Sequence, residues 1–185
     1  MKAVIVGVPG TGKTSVAKGL TKHGWTLVTF GTVMFEIAKE KHGISTRDKM
    51  RTELSTDTYK LVQEEAASQI SSMEGKIVLD THCSIITPEG YYPGLPLRIL
   101  EKLNPDAIIS VEADPENINA RRQKDAAIRL REGDPKEHQE VNRYFAAAYS
   151  TVSGAPISFV MNEEGKLDET VLKVLKIVKG VQRNG

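Results

Sequence analysis

Residues 7–14 read Gly-Val-Pro-Gly-Thr-Gly-Lys-Thr and match the phosphate-binding pattern G-x-x-x-x-G-K-[ST]. The apolar run 3–6 precedes them and a segment with helical apolar spacing follows, so the pattern lies at a strand-to-helix junction. Its glycines let backbone N–H groups converge on phosphate oxygens at the positive end of a helix. We therefore predict a nucleoside triphosphate site. Its predicted residues are Gly7, Val8, Pro9, Gly10, Thr11, Gly12, Lys13, Thr14 and Ser15.

Three charged or polar residues, two in this loop and one predicted beside it, fit the chemistry of phosphoryl transfer. Lys13 supplies a positive charge for the β- and γ-phosphates, and Thr14 offers the hard oxygen that Mg²⁺ prefers. Asp80 follows the third apolar run, where it is placed to orient Mg²⁺ or its water shell. The alternative for Asp80 is a turn-forming or solvated carboxylate at a strand end.

Arginine side chains cluster in the second half of the chain, at Arg121, Arg122, Arg129 and Arg131, with Arg143 following. Planar guanidinium groups pair with the equatorial oxygens of a transferring phosphoryl group and stay ionised at every relevant pH. We predict that Arg121, Arg129 and Arg143 close over that group. A solvated helix face, neutralised by nearby acidic residues, is the alternative.

A second set of residues is predicted to hold an acceptor. Arg47 and Arg51 lie four apart and suit a phosphate, although surface pairing with neighbouring carboxylates is the alternative. Gly31 and Thr32 come where a strand ends and a helix begins, which fits either a substrate contact or a helix cap. His82 is a candidate contact to a substrate base or phosphate, or else an ordinary loop histidine.

The order of apolar and helical segments predicts an α/β fold. Short β-branched runs alternate with helical patterns, which indicates a parallel sheet of about five strands with helices on both faces and ligands at the strand carboxyl ends. The predicted strands are 3–6, 25–30, 77–79, 107–111 and 157–160. The predicted helices are 13–23, 33–41, 57–73, 97–103, 115–131, 136–153 and 168–179. Residues 81–96, rich in proline and glycine, are expected to form a long loop.

Composition limits the function classes. A chain of 185 residues with 39% hydrophobic content is suited to one domain. Lys and Arg total 25 against 24 for Asp and Glu, so the net charge of +1 gives no global field for nucleic acid or an anionic membrane. No apolar segment approaches the ~20 residues of a membrane span. With a single cysteine, we expect a cytoplasmic protein without disulfides, nucleic acid or membrane partners.

Taken together, several motifs give the whole chain a resemblance to the archaeal-type adenylate kinases, within the P-loop nucleoside monophosphate kinases. The resemblance implies the reaction ATP + AMP ⇌ 2 ADP with Mg²⁺, and a P-loop three-layer fold. It also implies a helical AMP-binding insertion at about 31–73, a short lid at about 121–136 and a homotrimer. The segments that carry it are 7–14, 31–36, 47–51, 80–85, 87–96 and 138–143.

This chain departs from bacterial-type relatives at the acceptor site. The arginine of their Gly-Asp-x-x-Arg motif is absent, since the corresponding segment leads to Phe35, and Asp80-Thr81-His82 replaces their Asp-Gly-Phe-Pro-Arg motif. Arg47 or Arg51 are then the nearest cations by sequence for the AMP phosphate, and the predicted AMP site also includes Gly31, Thr32 and His82. A kinase for another nucleoside monophosphate or small acceptor such as shikimate, or a P-loop NTPase switch, remains the alternative.

Overall fold

The structure is a computed structural model that describes residues 1–124 and 133–184. Its strands are β1 (Lys2–Val6), β2 (Thr26–Thr29), β3 (Ile77–Asp80), β4 (Ser84–Thr87), β5 (Gly90–Pro93), β6 (Ala107–Glu112) and β7 (Ile157–Met161). Its helices are α1 (Lys13–Thr21), α2 (Phe30–His42), α3 (Met50–Glu53), α4 (Thr56–Ser71), α5 (Leu97–Leu103), α6 (Pro115–Lys124), α7 (Pro135–Ser153) and α8 (Leu167–Asn184).

Five parallel strands form the main sheet in the order β2-β3-β1-β6-β7, which confirms the predicted fold class. The side chains of β1 alternate between two hydrophobic clusters, because successive strand residues point to opposite faces. Val4 and Val6 pack into the cluster built with α2, α4, α5 and α7. Ala3 and Ile5 pack into the cluster built with α1 and α8. The sheet is therefore covered on both faces, as parallel sheets require.

The carboxyl end of β1 lies between those of β3 and β6. Ile5 pairs in register with Asp80 of β3 and with Ile109 of β6. Residues that follow these three strands therefore meet at one edge of the sheet, where open α/β folds bind their ligands. The phosphate-binding pattern, Asp80 and the start of α6 all belong to this edge.

The helix expected at 115–131 corresponds to α6, and residues 125–131 lie outside the described part of the chain. Helix α3 was not predicted. The segments at the ends of β2 and β3 also differ from their prediction. The strand expected at 25–30 ends at Thr29, and α2 begins at once at Phe30, because the chain passes from extended to helical backbone without an intervening loop. The segment expected as a loop at 81–96 contains the antiparallel hairpin β4–β5. The hairpin accommodates glycine and proline because Gly90 adopts φ +123° next to the turn and Pro93 lies at the end of β5.

None of the helices in the described part of the chain combines the length and apolar character that crossing a membrane demands.

Candidate active site

The phosphate loop connects β1 directly to α1. Gly10 and Gly12 have φ values of +101° and +83°, which L side chains rarely adopt. Gly7 is confined for another reason, since a Cβ there would lie 2.6 Å from the carbonyl oxygen of Val111. Thr11 is fully buried and its hydroxyl donates to the Val8 carbonyl at 3.0 Å. The loop is thus held in one compact shape at the N-terminus of α1, where backbone N–H groups and the helix dipole favour anions.

A buried ion pair links this loop to the end of β3. The Lys13 ammonium pairs with the Asp80 carboxylate, and the two residues are 8% and 2% exposed. The Thr14 hydroxyl donates to the other Asp80 oxygen at 2.7 Å. The structure therefore brings together the lysine, hydroxyl and carboxylate whose positions the sequence predicted. The carboxylate and hydroxyl form a pair of hard oxygens that suits Mg²⁺.

Within the described residues, no group of three or more His, Cys, Asp and Glu side chains is arranged to hold a metal ion. Such a closed protein cage is not what Mg²⁺ needs in a phosphoryl-transfer site. It is usually bound by one or two protein oxygens together with substrate phosphates and water. Asp80 and Thr14 match that smaller requirement, and their role as metal ligands stays a prediction.

Two adjacent arginines on α6 hold the backbone of the phosphate loop. Arg121 donates to the Gly10 carbonyl at 3.0 Å and forms an ion pair with Glu164. Arg122 is 7% exposed and donates to the Pro9 carbonyl at 2.9 Å and to the Gly133 carbonyl at 3.0 Å. Both guanidinium groups therefore border the place where the phosphates of a nucleotide would lie. Arg129, predicted to act with Arg121, lies outside the described residues.

Arg143 occupies a different place from the one its predicted role requires. Its Nε and Nη2 each donate to a carboxylate oxygen of Glu112 at 2.6 Å, and its guanidinium carbon lies 6.0 Å from the centre of the Phe159 ring. Glu112 is 5% exposed, so its buried charge requires such a partner. Hydrogen bonding to Glu112 also raises the pKa of the Arg143 guanidinium. Arg143 is not among the residues that line the cavity, so this position does not favour its assignment to catalysis.

The segment after β7 reinforces the loop from the other side. Asn162 is 5% exposed, and its Nδ2 donates to the Thr11 carbonyl at 2.8 Å. A Cβ at Gly12 would lie 2.4 Å from the same amide nitrogen, so the contact depends on glycine. Asn162 therefore stabilises the conformation of the phosphate loop.

A cavity of about 810 Å³ extends from the phosphate loop towards α2, α3 and α4. All five residues predicted for the acceptor line it: Gly31, Thr32, Arg47, Arg51 and His82. A Cβ added at Gly31 would lie 1.8 Å from Nη2 of Arg47. The Arg47 guanidinium therefore lies directly over this glycine. The cavity thus has an anion-binding loop at one end and a second cationic group at the other.

The sequence reasoning did not identify two buried polar residues that also line the cavity, Gln63 and His138. Nε2 of His138 lies 3.1 Å from the Ser84 hydroxyl, which lies 3.3 Å from Oδ1 of Asn142. Asn142 in turn donates to the Ser110 hydroxyl at 3.3 Å. These contacts join α7, the hairpin and β6. A lone histidine or glutamine on a helix gives no local signal of such a role.

The buried state of His138 predicts a pH dependence of stability. Burial lowers its pKa from the usual 6.5, and the Arg122 charge adds to this, whereas the Ser84 hydrogen bond and Glu137 oppose it. Below pH 6.5 the unfolded chain therefore binds more protons than the folded one, so the stability present above that pH is lost as pH falls. Urea unfolding between pH 7 and 5 is expected to show a falling free energy of unfolding.

His138→Gln tests this prediction, because it removes the imidazole and keeps a side-chain amide near Ser84. His23→Gln, at an exposed histidine, is the matched control. The His138 variant should have a shallower slope of stability against pH, and the His23 variant should follow the unmodified protein. Equal slopes for all three proteins would contradict the assignment.

Among solved structures, the fold of this chain is similar to that of two shikimate kinases. A shikimate kinase from Bacteroides thetaiotaomicron superposes with a TM-score of 0.63 at 14% identity, covering 97% of this chain and 98% of that one. A shikimate kinase from Acinetobacter baumannii in complex with shikimate gives 0.63 at 16% identity, covering 97% of this chain and 93% of that one. At these identities the likeness shows the fold alone.

Sequence comparison is more specific. Residues 6–140 match the family model described as an AAA domain. The adenylate kinase of Thermoplasma acidophilum is 46% identical to this chain, covering 96% of it and 98% of that protein. That of Methanopyrus kandleri is 41% identical, covering 96% of this chain and 97% of its own length. Since the likeness runs almost end to end at such identity, the chain belongs to the adenylate kinase family.

Proposed function

We propose that this chain catalyses the reversible transfer of a phosphoryl group from ATP to AMP, giving two molecules of ADP. The observation that carries the proposal is the single cavity that joins an anion-binding loop to a second cationic group at Arg47. A phosphate donor and a phosphate acceptor need two such ends within one enclosed space. The names of the relatives support the identity of the two nucleotides.

The chemistry asks for positioning and charge neutralisation and needs no general base. A nucleoside monophosphate already carries an anionic oxygen nucleophile, so the protein has to align it with the γ-phosphorus of ATP. In this proposal the loop amides and Lys13 bind the β- and γ-phosphates, and Arg121 pairs with oxygens of the moving phosphoryl group. Arg129 keeps its predicted part in the same clamp. Exclusion of water from the cavity prevents hydrolysis of ATP.

Mg²⁺ belongs to this proposal as the metal that accompanies ATP. Thr14 and Asp80 are the residues that would hold it or its water shell, because they present adjacent oxygen ligands beside the loop. When bound, the ion supplies neutralisation of charge on the bridging phosphate oxygens. Asp80 also orients Lys13, since the two side chains form an ion pair.

The remaining parts of the proposal come from the family resemblance. In this proposal residues 31–73 are the acceptor-binding insertion and the protein is a cytoplasmic homotrimer. The short lid is assigned to residues 121–136, of which 125–132 lie outside the described residues. The cavity contacts of α2, α3 and α4 support the first of these. Light scattering coupled to size-exclusion chromatography tests the trimer directly, because a monomer of 20.3 kDa and its trimer are well separated.

Nucleotide chromatography after incubation with Mg-ATP and each nucleoside monophosphate in turn tests the activity. Rapid ADP formation that depends on AMP is the expected result. Turnover with a different acceptor, shikimate included, would replace AMP in the proposal. Loss of ATP without any acceptor would indicate an NTPase and contradict the kinase activity.

Arg47 provides a test of the acceptor site. Arg47→Ala is expected to raise KM for AMP about 10-fold or more, since a charge-assisted contact to a phosphate is lost, while KM for ATP stays within about 2-fold. Gly31→Ala should act in the same direction, because its Cβ displaces the guanidinium from above Gly31. Steady-state kinetics with each nucleotide varied in turn measures both effects.

Lys49→Ala is the matched control, since Lys49 is a nearby exposed cation that pairs with Glu53 and does not line the cavity. Its KM values should equal those of the unmodified protein. An equal rise in KM for ATP and AMP in the Arg47 variant would contradict a specific acceptor contact.

A further inference from the structure

A second, smaller cavity lies at the end of the sheet opposite to the phosphate loop. Trp25 directly precedes β2 and Lys76 directly precedes β3, and the first residues of these parallel strands, Thr26 and Ile77, pair in register. The cavity therefore lies at the amino ends of the two strands, whereas the phosphate loop follows the carboxyl end of β1. It has a volume of about 270 Å³. The residues that line it are His23, Trp25, Lys76, Leu175, Val178 and Lys179.

The wall of this cavity is apolar and carries one hydrogen-bond donor without a protein partner. Trp25, Leu175 and Val178 are buried members of the hydrophobic cluster between the sheet and α8. Trp25 is 5% exposed, and its indole N–H has no partner among the described residues. In that part of the chain the fully enclosed, unpartnered side-chain nitrogens are Arg98 Nε and His138 Nδ1. The indole nitrogen is not enclosed in this way, so its N–H is open to a ligand in the cavity that Trp25 lines.

Three basic side chains border the same space. His23, Lys76 and Lys179 are exposed, and none of them forms an ion pair within the part of the chain that the structure describes. Residues 1–35 and 170–185, which supply most of the surrounding helices and strands, contain no Asp or Glu. No acidic side chain is among the residues that line the cavity in the described chain. Neighbouring side chains therefore leave its positive charge uncompensated.

Acceptor groups around the cavity are few. The carbonyl of Leu20, at the end of α1, already accepts from the N–H of His23 at 2.9 Å, and that of Lys76 accepts from the N–H of Thr26 at 2.8 Å. Glu74, the carboxylate closest to Lys76 in the sequence, does not line the cavity. Ammonium and indole groups only donate hydrogen bonds. The cavity is therefore suited to a ligand that accepts hydrogen bonds and carries negative charge.

We propose that this cavity binds a small aromatic anion, whose ring lies against Trp25 and the apolar wall and whose carboxylate or phosphate group is held by Lys76 and Lys179. The volume of about 270 Å³ lies just below the roughly 300–1,000 Å³ of pockets for drug-sized ligands, which favours a single ring over a whole nucleotide. The indole N–H supplies a further donor to the anionic group. The site shares no lining residue with the nucleotide cavity, so the inference goes beyond the proposed reaction.

Trp25 is the one tryptophan in the sequence, so the tryptophan fluorescence of the full chain reports on this cavity. Titration with benzoate and with phenyl phosphate is expected to give a saturable change in emission. Benzamide, which has the ring without the charge, should bind at least about 10-fold more weakly. Acetate and inorganic phosphate, which have the charge without the ring, should also bind about 10-fold more weakly. Equal affinity for benzamide would overturn the anion site, and equal affinity for inorganic phosphate would overturn the ring contact.

Lys179→Gln removes one of the groups that hold the anion. It is expected to raise Kd for phenyl phosphate about 5- to 10-fold, with a larger rise when Lys76→Gln is added. Lys176→Gln is the matched control, because Lys176 is an exposed lysine on the same helix that does not line the cavity. Its Kd should stay within about 2-fold of the unmodified value. Equal losses in the two single variants would indicate a diffuse positive surface and overturn the assigned site. Thermal unfolding without ligand checks that each variant is folded.

Two further measurements locate the probe. Saturating Mg-ATP should leave the titration with phenyl phosphate unchanged, and a competitive shift would place the probe in the nucleotide cavity and overturn the inference. Trp25→Phe keeps a ring and removes the N–H group, so calorimetry should give about 5-fold weaker binding. Binding of unchanged strength would overturn the indole contact. No change in emission or melting temperature with either aromatic anion would overturn the site altogether. Since no readout uses turnover, such a failure leaves the proposed function standing.

Discussion

Lys13→Met is expected to lower kcat by about 10³-fold or more while the chain stays folded. Methionine fills the space of the lysine stem but carries no charge and donates no hydrogen bond to the β- and γ-phosphates. The charge on those oxygens rises as the phosphoryl group moves, so the loss falls mainly on the transition state. Initial rates of ADP formation at saturating AMP, followed with ATP varied, measure the effect.

The buried partner of Lys13 makes a control necessary. Lys13→Met leaves the Asp80 carboxylate, 2% exposed, without its counter-charge. Breaking a buried ion pair in this way costs about 3–5 kcal/mol of stability. The double variant Lys13→Met with Asp80→Asn removes both charges, so its melting temperature is expected to recover while its activity stays low. Near-normal turnover by a folded Lys13→Met protein would contradict the proposed role of the lysine.

The phosphate loop and Asp80 could be predicted because their signals are local. The loop can be recognised from its glycines and Lys13 at fixed spacing. Its position requires only the strand before it and the helix after it. Asp80 ends a buried apolar run, and parallel register then brings it beside Ile5 and the loop. The alternation of elements likewise predicted the sheet, because each strand and helix has its own periodicity.

Residues whose role depends on distant partners could not be predicted in the same way. Arg143 carries the charge expected of a phosphate clamp, yet it pairs with Glu112, 31 residues away in the chain. Gln63 gains its fixed orientation from Arg98, on another helix. The hairpin of residues 84–93 was predicted as a loop, because its proline and glycine residues are typical of loops. In each case the deciding contact belongs to tertiary packing, which residue type and spacing do not encode.

Arg121 and Arg122 allow a catalytic role to be distinguished from a structural one, because the two residues are neighbours in the chain but differ in burial and in partners. The Arg121 side chain is 26% exposed, and its partner Glu164 is 68% exposed. An ion pair with so open a carboxylate contributes little and can be exchanged for a phosphate. Arg122 is 7% exposed and bridges the carbonyls of Pro9 and Gly133. We therefore expect Arg121 to act on the phosphoryl group and Arg122 to hold the loop.

Arg121→Lys should then lower kcat by about 10²- to 10³-fold with KM for ATP within a few-fold, because an ammonium group cannot pair in two places with the moving phosphoryl group. Arg122→Lys should instead raise KM for ATP and lower the melting temperature, since a hydrogen bond to the carbonyl of Pro9 or Gly133 is lost. Glu164→Gln, which loosens the resting position of Arg121, should leave kcat within about 2-fold. A loss of kcat in the Arg122 variant equal to that in the Arg121 variant, at unchanged stability, would reverse the two assignments.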